Sequence, residues 1–109
     1  MQRIEYHQII RNHLSTSYLL SEEKIDSVLP GFLATLQQYM SNLEETAARE
    51  TDEAVSRAGH AVKGALLNLG LNDLADKAFT IEKNCKAGTA DWNSSPFIAE
   101  LKQEIAKII

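Results

Sequence analysis

At 109 residues, with 44% hydrophobic and 24% charged side chains, the chain reads as one globular domain spanning 1–109 and not as a disordered segment. Its net charge of −4 argues against a general nucleic-acid or anionic-membrane binder. A lone Cys85 excludes an internal disulfide and leaves a structural zinc site short of ligands, and no apolar run approaches the roughly 18 residues of a membrane span.

The N-terminus, Met1 to His7, has no apolar signal core, so the expected location is cytoplasmic. Strand signals are missing, whereas apolar residues recur at three- and four-residue spacing almost throughout. A first helix is predicted from Ile4 to about Leu14, with Ile4, His7, Ile10 and Leu14 near one face and Ser15-Thr16-Ser17 breaking it. A second starts after the N-cap Ser21, has Glu22 and Glu23 in its first turn, and runs to about Arg49. Its stripe is Ile25, Val28, Leu29, Phe32, Leu33, Leu36, Met40 and Leu43. Pro30-Gly31 lies inside it and is expected to kink or interrupt it, because proline cannot donate to the carbonyl four residues back.

A third helix is predicted to begin near Thr51 or Asp52, to carry Val55, Ala58, Val62, Ala65, Leu66 and Leu69, and to stop at Gly70. Asn72 is expected to cap a fourth, with Leu74, Ala75, Ala78, Ile81 and Cys85 as its stripe, ending near Gly88. Ser95 and Pro96 fit the N-cap and first position of a last helix bearing Phe97, Ile98, Leu101, Ile105 and Ile108. Trp92, before it, reads as a packing plug. Short links between amphipathic helices predict an all-α, antiparallel bundle.

The third helix holds the chemistry. At about 100° per residue, His60 falls about 175° from the centre of that helix's apolar stripe, so it points outward. Ser56 and Gly64 lie within about 40° of it, and Arg57 and Lys63 within about 60°. A helix-interior glycine costs about 1 kcal/mol relative to alanine, so Gly64 suggests that something approaches the ring closely. Histidine ordinarily titrates near pH 6.5, which leaves abundant nucleophilic imidazole at pH 7. On the fourth helix Glu82 falls about 45° from the apolar stripe, where a carboxylate needs a partner. His60 and a lysine such as Lys86 are the alternatives. A Glu82 bond to Nδ1–H would leave Nε2 as the nucleophile.

The stretch Ala58-Gly59-His60-Ala61-Val62-Lys63-Gly64-Ala65, with Leu69-Gly70 and the later Ile81-Glu82, resembles the histidine-containing phosphotransfer (HPt) domain family. The resemblance implies a four-helix bundle with an additional short N-terminal helix. It implies that His60 is phosphorylated, that Lys63 meets the phosphoryl oxygens, that Gly64 leaves space for the partner, and that Glu82 orients the ring. The implied partners are a response-regulator receiver domain and a hybrid sensor histidine kinase. No ATP site or metal of its own is implied; Mg²⁺ would come with the receiver. Ser56, Arg57, Leu67, Ile10 and Leu14 are the expected partner contacts, on a monomer that binds neither nucleic acid nor membrane. A competing reading is a helical docking module that binds a receiver, or a copy of itself, without transfer. A metal-binding bundle enzyme is disfavoured, since no Glu-x-x-His pairs occur and His7 and His13 lie on different faces.

Overall fold

The computed structural model describes residues 1–49, 51–88 and 93–109. They form α1 (Arg3–Ser17), α2 (Glu22–Arg49), α3 (Asp52–Asn68), α4 (Asn72–Ala87) and α5 (Ser95–Ala106), with no strand among the described residues. The expected all-α class is therefore observed. The α3 helix packs most extensively on α4 and next on α2, α5 touches both α4 and α2, and α1 lies against α2. The result is a closed ring of four helices with a fifth outside it. The long axis of 47 Å is set by α2, whose 28 residues span about 42 Å at 1.5 Å each.

The stripes predicted for α3 and α4 are buried at every position. In α2, Ile25, Leu29, Leu36, Met40 and Leu43 are buried, while Phe32 and Leu33 are only partly covered. Thr51 caps α3 by accepting from the Ala54 amide, and Ser21 accepts from that of Lys24. The α3 helix ends in a Schellman arrangement: Leu71 N–H reaches Leu66 O, and Gly70 N–H reaches Leu67 O. Gly70 has φ +75°, and a Cβ there would lie 2.5 Å from His13 Cγ, so the turn needs glycine twice over.

Three boundaries differ from expectation. The α1 helix continues through Ser15-Thr16-Ser17, because the Thr16 hydroxyl donates to Asn12 O and is satisfied inside the helix. Its buried face is Tyr6, Ile10 and Leu14, while Ile4 is exposed; His7 instead places Nε2 2.7 Å from Ile108 O. Of the two outcomes expected at Pro30, interruption is not found: the α2 helix continues through it, with Pro30 and Gly31 on the exposed side. The N-caps of α4 and α5 are Leu71 and Ser94, one residue earlier than expected, and Pro96 takes the second position. Trp92 lies outside the described residues.

Candidate functional site

Three side chains from two helices converge at the α3–α4 seam. His60 Nδ1 is 2.8 Å from Glu82 Oε2, and Lys63 Nζ is 2.7 Å from Glu82 Oε1. The ammonium is the only partner of Oε1 among the described residues. The carboxylate is 17% exposed and the imidazole 66%, so a covered anchor holds an open ring. Burial pushes the Glu82 carboxyl up, but the close Lys63 ammonium and the His60 hydrogen bond, with their charges, outweigh it and hold the group below the usual carboxylate range. Of the two partners considered in the sequence, His60 is the one found; Lys63, not Lys86, supplies the lysine.

An ionised carboxylate only accepts hydrogen bonds. Nδ1 must therefore carry the proton, and the Nε2 lone pair is left directed away from Glu82.

Backbone packing sets this register. Gly59 faces α4, where a Cβ would make ordinary contacts, 3.4 Å from Glu82 N and 3.5 Å from Ala78 O. Beside it, the Ser56 hydroxyl donates to Glu82 O at 2.8 Å. A single turn of α3 thus grips the backbone of Glu82 while the next turn grips its side chain.

His60 stands between two open grooves. The one toward α2, about 440 Å³, is lined by Phe32, Tyr39, Gly64 and Asn68 among others. The one toward α4 is lined by Arg57, Glu82 and Lys86 among others. A Cβ on Gly64 would meet nothing within 4 Å, so the space above the ring's next turn is free. Leu67 is exposed at the same face, as expected. Arg57 is exposed and pairs with Glu53 at 3.3 Å, a contact worth well under about 1 kcal/mol.

Three expected partner contacts are not at this surface. Ser56 is 6% exposed, because α3 is covered by α4 on that side and the hydroxyl is spent on Glu82 O. Ile10 and Leu14 are fully buried; they form the inner face of α1 and cannot meet a partner. A residue the sequence reading passed over is Phe79 on α4. It is 45% exposed, and Lys63 Nζ lies 4.7 Å from its ring centroid. An aromatic residue well off the α4 apolar stripe was the available signal.

Among the described residues no three His, Cys, Asp or Glu side chains converge as a metal site requires, and no helix is long and apolar enough to cross a membrane. A family model described as Hpt domain matches residues 27–109. Comparison with curated proteins and with solved structures gave no match.

Proposed function

The chain belongs to the Hpt domain family, and from that premise we propose that it carries a phosphoryl group on His60 Nε2 between the aspartates of receiver domains in a two-component phosphorelay. The carrying observation is the 2.8 Å contact between His60 Nδ1 and an ionised Glu82, which fixes the tautomer and leaves Nε2 nucleophilic on an exposed ring.

In the loading step the Nε2 lone pair forms an N–P bond with the phosphoryl group of a receiver's phosphoaspartate. The P–O bond to the aspartate breaks, and its electron pair leaves with the aspartate carboxylate. The ring becomes a cation that keeps its proton on Nδ1 and donates it in a hydrogen bond to Glu82, whose negative charge favours that product. Return transfer reverses each bond. A Mg²⁺ ion in the receiver's acidic site would neutralise charge on the moving group. Lys63 is within one turn of the ring and offsets the negative charge on the phosphoryl oxygens. The chain itself supplies no nucleotide site in this reading, so it acts as a carrier and the receiver completes the reaction centre.

The test is incubation with a phosphorylated receiver domain, following acid-labile phosphate on the chain. Wild type is expected to take up label and the His60→Gln variant none. Label on His60→Gln, or none on wild type, overturns the proposal.

A further inference from the structure

Lys63 is held by two groups at once. Its ammonium sits 2.7 Å from Glu82 Oε1 and 4.7 Å from the centroid of the Phe79 ring. A lysine side chain ordinarily moves among many rotamers in water, and ordering it costs side-chain entropy. Here the side chain is only 21% exposed, so it is confined at the seam. The ring is well placed for this. Phe79 lies three residues before Glu82 on α4, the spacing that puts two side chains on one helix face. The Lys83 ammonium, 5.7 Å from the same centroid, adds a second positive charge beside the ring.

Phe79 is not in the core, so its apolar area is not what keeps it there. Its ring leaves 45% of the residue in water while one part of it covers the Lys63 ammonium. Phe79 brings neither charge nor a hydrogen-bonding side chain to the lysine. What a phenyl ring offers a cation is its quadrupole, worth a factor of about two to five at an exposed site.

We infer that Phe79 is a positioning residue for phosphoryl transfer at His60, acting through Lys63: its ring keeps the lysine ammonium at the α3–α4 seam, within reach of a phosphoryl group arriving at Nε2. This rests on the phosphocarrier reading of His60. Without the ring, Glu82 alone holds an ammonium that then spends more of its time in solvent. The charge on an incoming phosphoryl group is offset less, and loading slows.

The experiment uses phosphoramidate, a small donor that needs no docking surface. The Nε2 lone pair forms the N–P bond, the donor's P–N bond breaks, and ammonia leaves with that electron pair and the donor's protons. The observed quantity is the initial rate of phosphohistidine formation. Phe79→Ala is expected to slow it two- to fivefold, Phe79→Tyr to restore it, and Phe79→Ala to have no further effect in a Lys63→Ala background. Thermal melting checks that each variant is folded; should Phe79→Ala not fold, Phe79→Leu replaces it with the same expected loss. A rate indifferent to Phe79, or an equal loss with Lys63 already removed, overturns the inference while leaving the phosphocarrier reading intact. Wild type that takes phosphate neither from phosphoramidate nor from a receiver overturns both.

Discussion

Replacing Gly64 by alanine separates stability from transfer. The position is helical, and a Cβ there would meet no atom within 4 Å. Alanine is better than glycine by about 1 kcal/mol in a helix interior, with no packing conflict here to offset it. For a domain of this size that corresponds to a rise in melting temperature of roughly 4–8 °C. The methyl group, however, stands one turn from His60, about 5–6 Å from its Cβ, in the space a receiver would occupy. Reacting atoms must come within about 3–3.5 Å, and a displacement near 1 Å can cost about 100-fold. Gly64→Ala should therefore melt higher yet accept phosphate from a receiver at least about tenfold more slowly. Uptake from phosphoramidate, which needs no such approach, should change by less than about twofold. Calorimetry and the two transfer assays read these quantities on the same sample. A lower melting temperature would show that the space is not open, and unchanged receiver transfer would show that the partner does not pass over Gly64.

Gly70→Ala should have the opposite effect on stability. The left-handed backbone costs a non-glycine residue roughly 1–2 kcal/mol, and the collision with His13 roughly 1–3 more, so denaturant midpoints should fall steeply, with partial recovery in a His13→Ala background. The Glu82 carboxyl, held below its unfolded value, contributes stability that is complete above about pH 4.3 and is lost as pH falls through the folded value. Urea midpoints from pH 7 down to 3 should thus fall less for Glu82→Gln than for wild type; parallel curves would show that the carboxylate is not stabilised by its partners. Burial, with the charge of Glu104 next, pushes the Tyr6 phenol up to about 12. A raised phenol stabilises the fold below about pH 10 and ceases to do so as pH rises from there to 12, so Tyr6→Phe should blunt alkaline unfolding followed by circular dichroism.

The sequence was most legible where one helix answers to one buried stripe. Every residue assigned to the stripes of α3 and α4 is buried, because both helices bury long, regular apolar faces that a 100° wheel reproduces. It was least legible where the wheel's assumption of a single covered side fails. Ser56 lies about 40° from His60 on the wheel and yet is buried, since α3 is wedged between α2 and α4 and only a narrow strip of it faces water. In α1 the wheel put Ile4 inside and overlooked Tyr6, whose ring is covered while its hydroxyl reaches Glu104 at 3.3 Å.

The pairing of His60 with Glu82 was anticipated from a carboxylate near an apolar stripe, with a lysine such as Lys86 as the alternative partner. The structure takes one of each, one oxygen apiece. What decides the arrangement is a backbone contact. Gly59 lies against the backbone of α4 at Ala78 and Glu82, and Ser56 ties itself to the Glu82 carbonyl. With that register set, His60 and Lys63, three residues apart on α3, straddle the carboxylate of Glu82. The chemistry was readable as spacing along one helix. The helix–helix register that makes it a site was written only as a small residue and a serine beside the histidine, which a sequence offers equally for many other reasons.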